Sequence, residues 1–298
     1  MTNNLPAGVT PELYPFTGKF LTLKNGLRLH YLDEGAGKPV LMLHGNPSWS
    51  FYYRNLAQAL RGANRVIVPD HIGCGLSDKP GDDRYDYTLQ SRIEDVEALL
   101  GSLELKEKIT LVVHDWGGMI GLAVAARRPE RIERLVILNT GAFFLPDGKT
   151  FPPPLRLCRT PLGALLIRGF NAFARGAAWV GCKRRRMPAA LRAAYAAPYN
   201  SWADRIATLR FVEDIPLVPG DKAYSLVDET QKKLGAFAKV PMLICWGLKD
   251  FVFDSHFLAE WQRRFPAAEV HAFPDCGHYI LEDASEEVIP LIKNFIAR

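Results

Sequence analysis

Short apolar runs, each four to six residues long, recur at 20–23, 28–32, 39–43, 65–69, 109–113, 135–138, 241–246 and 270–273. Their length and Val/Ile/Leu content suit strands buried on both faces. After the third run they alternate with stretches of helical spacing such as 87–100 and 119–128. The alternation predicts an α/β fold, a mostly parallel eight-stranded sheet flanked by helices. Residues 145–228 break it, opening on Phe151-Pro152-Pro153-Pro154 and closing near Val218-Pro219-Gly220. The expected division is therefore a catalytic core of 1–144 and 229–298, with a helical cap of 145–228 inserted. A chain of 298 residues suits one such unit, and no internal repeat is visible.

The chemistry concentrates where strands end. The run 109–113 leads through His114 into Asp115-Trp116-Gly117-Gly118 and then the helical stretch, so Asp115 occupies a sharp strand-to-helix turn with glycines making room. A serine there would need a base to become a nucleophile, whereas an aspartate is already anionic at neutral pH and can attack sp3 carbon directly. The plain alternative is a helix-capping aspartate, since Asp is a good N-cap. Asp250 follows the run 241–246, and His278 sits in a loop after 270–273, giving nucleophile, acid and histidine in the chain order of such sites. Asp254 competes for the acid's place, and Asp275 reads as a loop residue. His44 and His114 flank the motifs and read as structural. After the run 39–43, Asn46 is placed to face the turn. Its carboxamide and the Trp116 indole are neutral donors able to converge on a departing anion; taken alone Trp116 could be a packed aromatic, but the pairing with Asn46 favours the anion cradle.

The segments HGNPSWSFYYR (44–54), PDHIGCGLSDKP (69–80), VHDWGG (113–118), WGLKD (246–250) and CGHYILED (276–283) together resemble the haloalkane dehalogenase group of α/β-hydrolases over 19–298 apart from the cap. Asp250 combined with Asn46 and Trp116 resembles its third subfamily. Asn139, in LVILNT (135–140), stands where another subfamily carries a glutamate acid. The third subfamily also holds β-lactone decarboxylases of long-chain olefin biosynthesis, and the likeness to these is strong. It implies an enzyme in which Asp115 is the nucleophile, with His278 and Asp250 completing a triad and Trp116 and Asn46 binding the leaving anion. The substrate would be a cis-3-alkyl-4-alkyloxetan-2-one giving CO2 and a cis-olefin, with carbonyl and ring-carbon attack both open; the alternative is haloalkane hydrolysis. Epoxide hydrolases share HDWGG but usually carry an aromatic at 46, and fluoroacetate dehalogenases usually carry Arg at 116. A non-catalytic binding protein would commonly lack a triad member.

Charge adds one feature. The formal charge is +5, but 148–203 holds ten Lys or Arg and no acid, so that segment carries +10 and the remainder −5. Leu162, Leu165, Phe170 and Trp179 interleave with its arginines and no nucleic-acid motif accompanies them, so the expected partners are long-chain apolar substrates together with an acidic protein or a membrane surface, not nucleic acid. The run Lys183-Arg184-Arg185-Arg186 is its densest part. Five cysteines without metal spacing point to reduced thiols and a cytoplasmic location. No signal peptide or membrane span is visible in the sequence, and no phosphate loop or metal cluster, so no cofactor or metal is expected. Cys276 is a poor nucleophile candidate beside an aspartate turn.

Overall fold

The computed structural model describes residues 5–298. Eight strands, β1 (Lys19–Thr22), β2 (Arg28–Glu34), β3 (Pro39–Leu43), β4 (Arg65–Pro69), β5 (Ile109–Asp115), β6 (Ile132–Thr140), β7 (Met242–Gly247) and β8 (Glu269–Phe273), form one sheet. The order is β1-β2-β4-β3-β5-β6-β7-β8, antiparallel at β1-β2 and β2-β4 and parallel elsewhere. The expected mostly parallel eight-stranded sheet is the observed one. From β3 the chain runs to β4 on one side and returns to β5 on the other, so the topological switch point lies between β3 and β5. Crevices form at the carboxyl ends of strands at such a point.

The helices are α1 (Arg54–Leu60), α2 (Leu89–Ser102), α3 (Trp116–Arg127), α4 (Pro153–Cys158), α5 (Pro161–Phe170), α6 (Ala172–Val180), α7 (Ala189–Ala196), α8 (Ile206–Glu213), α9 (Tyr224–Lys233), α10 (Ser255–Arg264), α11 (Ile280–Asp283) and α12 (Ser285–Ala297). The two-residue period of the strands splits the core. Leu41, Leu43, Leu111 and Val113 pack against α2, α3, α9 and α10, whereas Val40, Met42 and Val112 pack against α1, α11 and α12. Six helices, α4 to α9, separate β6 from β7. The last of them runs across residue 228 and packs on α3.

Element ends differ from the sequence reading where polar chemistry masks the pattern. β5 continues two residues past its apolar run, because Asp115 still pairs with Thr140 beyond a register shift. α3 starts at Trp116 instead of 119, since Gly117 and Gly118 are poor helix formers and hide its first turn.

Candidate active site

Asp115 is the hinge between β5 and α3, with φ 52° and ψ −128°, a backbone region that side-chain-bearing residues rarely enter. Close packing fixes it there. A Cβ on Gly117 would lie 1.9 Å from the Leu43 carbonyl oxygen, one on Gly118 1.9 Å from the Thr140 hydroxyl, and one on Gly45 2.0 Å from the Asp115 carboxylate. The Thr140 hydroxyl donates to the Asp115 carbonyl. The carboxylate makes no capping bond to α3, so the helix-cap alternative is not its local role. Instead Asp115 Oδ1 accepts the Asn46 backbone N–H at 2.7 Å. Burial pushes its carboxyl up from the ordinary range, opposed by His278 and by that amide.

His278 Nε2 lies 3.6 Å from Asp115 Oδ2, and its Nδ1 lies 2.7 Å from Asp250 Oδ2. Nδ1–H donating to Asp250 leaves Nε2 toward Asp115. Burial by itself would lower the imidazole pKa; the carboxylates of Asp250 and Asp115 outweigh it, and the net shift is upward. Phe253 stacks on the ring, with centroids 5.9 Å apart and planes 14° apart. His114 Nε2–H donates to the His278 carbonyl at 2.9 Å. His44, kept neutral by burial, spans Gly45 O at 2.7 Å and the His71 amide at 3.1 Å, which shapes the loop carrying Asn46. Both histidines thus hold backbone, as their positions suggested.

Asn46 presents an anchored carboxamide. Its Nδ2 donates to the Thr208 carbonyl of α8 at 3.0 Å, while Oδ1 is buried without a partner. The Trp116 indole N–H has no acceptor among the described residues, and both side chains line an apolar cavity with Asp115 and His278 at its floor. Leu155, Leu166, Ile167 and Phe173 of α4 to α6 roof this cavity of about 400 Å³, and the half-exposed Leu157, Val180 and Phe251 mark its mouth.

The competing carboxylates are elsewhere. Asp254 caps α10 and pairs with Lys149 at 2.7 Å, and Asp275 pairs with Arg184 at 2.7 Å. Burial raises the Cys276 thiol to about 12, which leaves it protonated.

A family model described as alpha/beta hydrolase fold matches residues 38–285. A cis-3-alkyl-4-alkyloxetan-2-one decarboxylase of Shewanella oneidensis is 65% identical over 95% of this chain and 89% of its own. Its namesake from Xanthomonas campestris is 51% identical over 96% of this chain and 97% of its own. The crystal structure of a haloalkane dehalogenase from Bradyrhizobium elkani is 26% identical, with a TM-score of 0.81 over 95% of this chain and 99% of that one. The chain belongs to the α/β-hydrolase family.

As an α/β-hydrolase it places Asp115, His278, Asn46 and Trp116 at one crevice, with Asp250 buried behind His278. One contributor, noted in the sequence only as standing where another subfamily carries a glutamate, has a role that sequence reasoning missed. Asn139, in left-handed backbone near the end of β6 at φ 35°, donates to Asp250 Oδ2 at 3.1 Å and to Gly247 O at 3.0 Å, and its Oδ1 accepts the Gly247 N–H at 2.8 Å. It therefore ties the end of β6 to the loop bearing Asp250. The basic run of this hydrolase is also less free than its sequence implies. Arg184 pairs with Asp275 and Glu287, Arg185 reaches Glu286 at 3.5 Å, and Arg186 lies 3.9 Å over the Trp179 ring. Among the described residues no helix is long and apolar enough to cross a membrane, and no cluster of metal-ligating side chains occurs.

Proposed function

We propose that this hydrolase decarboxylates cis-3-alkyl-4-alkyloxetan-2-ones, with Asp115 as nucleophile, His278 and Asp250 as its supporting pair, and Trp116 and Asn46 as donors to the leaving carboxylate. The observation that carries the reading is the aspartate turn facing two neutral donors under an apolar roof, joined to the names of the two bacterial relatives. The Asn46 amide is taken up by Asp115 itself, which favours attack at ring carbon over attack at the carbonyl, because the donors that remain suit a departing anion. On this route Asp115 bonds to ring carbon 4 and the ring C–O bond breaks, leaving a carboxylate. The C–CO2 bond then breaks, its electrons form the alkene, and Asp115 is expelled. No water is consumed, and inversion followed by anti elimination turns a cis lactone into a cis alkene.

Incubation with a dialkyl β-lactone in H2 18O, against a bromoalkane control, tests this. Alkene, no bromide and no label in Asp115 are expected. Asp115→Asn should lose at least about a hundredfold in rate, the scale of one catalytic group. Bromide release with label entering Asp115, and no alkene from any lactone, would establish the haloalkane dehalogenase reading instead, which the structural likeness to such an enzyme favours. We further propose that long alkyl tails enter through the apolar mouth, that residues 145–228 act as a cap, and that the basic α5 to α7 layer meets an anionic lipid surface.

A further inference from the structure

Arg92 is fully buried beneath the site, an unusual place for a guanidinium. Projecting from α2, it reaches Asp214 at the end of α8 with Nη1 to Oδ2 at 3.1 Å, while its Nε and Nη2 have no partner. Its plane lies 3.6 Å over the Phe211 ring of α8, and Phe211 in turn meets the Trp116 indole at 5.4 Å and 57°. The same helix offers the Thr208 carbonyl that anchors the Asn46 carboxamide. Both anion donors are therefore braced by one short helix, and that helix is held from behind by one buried ion pair and one cation–π stack. An ion pair with two unpartnered nitrogens costs desolvation that packing alone does not require, so its presence calls for a reason at the site.

We infer that Arg92 is a positioning residue for the departing anion: through Phe211 and α8 it orients Trp116 and Asn46, and it adds positive charge behind them. This rests on the proposal that those two residues hold the anion. A buried cation–π contact contributes about 1 to 2 kcal/mol, so releasing it should weaken anion binding roughly five- to thirtyfold.

The test measures sodium bromide binding by quenching of indole emission, assigned to Trp116 by its loss in Trp116→Phe, alongside inhibition by a long-chain alcohol that fills the apolar cavity. Arg92→Met combined with Asp214→Asn, which leaves no lone buried charge, should weaken bromide by that factor, leave alcohol binding within about twofold and lower kcat more than it raises KM. Phe211→Leu keeps the ion pair and should do the same; it carries the test if the double variant does not fold. Bromide bound by the variants as tightly as by the wild type would overturn the inference while sparing the cradle. Wild-type protein that binds no bromide and no short carboxylate at Trp116 would overturn the cradle and this inference with it.

Discussion

At the scale of single residues, the cluster of Asp115, His278 and Asp250 is governed by competition between burial and neighbouring charge. His278 shows this best: desolvation disfavours its imidazolium, yet Asp250 at 2.7 Å and Asp115 at 3.6 Å together raise its pKa above the ordinary 6.5. A histidine whose pKa is higher folded than unfolded contributes stability that is fully present below the unfolded pKa and is lost as pH rises through the folded one. Asp250→Asn removes the larger of the two upward contributions. Its loss of melting temperature relative to wild type should then be greater at pH 6 than at pH 9, and equal deficits at both would show that Asp250 acts on His278 without charge. Asp115, Asp250 and His278 were legible because each follows an apolar run within five residues, with Gly117, Gly247 and Gly277 close by in the same turns. Asn139 was not, since its partners Gly247 and Asp250 lie 108 and 111 positions away and nothing in LVILNT marks an asparagine as a strap.

Elements are positioned by the same close contacts that hold Asp115. β3, β5 and α3 meet so tightly that the two glycines after Asp115 serve packing more than flexibility, and their cost is a helix start that its own propensities conceal. Gly118→Ala drives a Cβ into the Thr140 hydroxyl, which also holds the Asp115 carbonyl. It should destabilise by about 1 to 3 kcal/mol, as overpacking does, and reduce turnover with it. Gly101 in α2 is the contrast, because nothing lies within 4 Å of a Cβ there. Gly101→Ala should stabilise by up to about 1 kcal/mol with activity unchanged, and denaturant titration of the two variants checks both signs. The strands were readable from apolar runs, whereas α4 to α9 were readable only as a helical insertion without separate helices, because each is short and the joints between them carry no common signal.

The whole molecule carries its charge unevenly, +10 over 148–203 against −5 elsewhere, and folding decides which of those charges face solvent unpaired. The densest run is partly neutralised by carboxylates 91 and 103 positions away from Arg184, a pairing that sequence order does not reveal. Arg168, Arg175 and Arg186 have no carboxylate partner among the described residues. Beside them an exposed stripe runs from Leu162 and Leu165 past Gly169 to Trp202, with Arg168 4.6 Å over the indole, and Phe170 and Trp179 are also half-exposed or more. Apolar side chains of this kind set among unpaired arginines match an anionic bilayer interface, where each basic residue contributes about 1 kcal/mol. Sedimentation with phosphatidylglycerol vesicles should retain the protein at low salt and release much of it at high salt, whereas phosphatidylcholine vesicles should hold little. Changing Arg168, Arg175 and Arg186 together to Gln should weaken binding by roughly a hundredfold, and Arg184→Gln, whose charge is already met within the chain, should leave it unchanged. The reverse ranking would place the contact at Arg184 and its neighbours Lys183 and Arg185, and equal binding to both lipids would remove the charged surface from the argument.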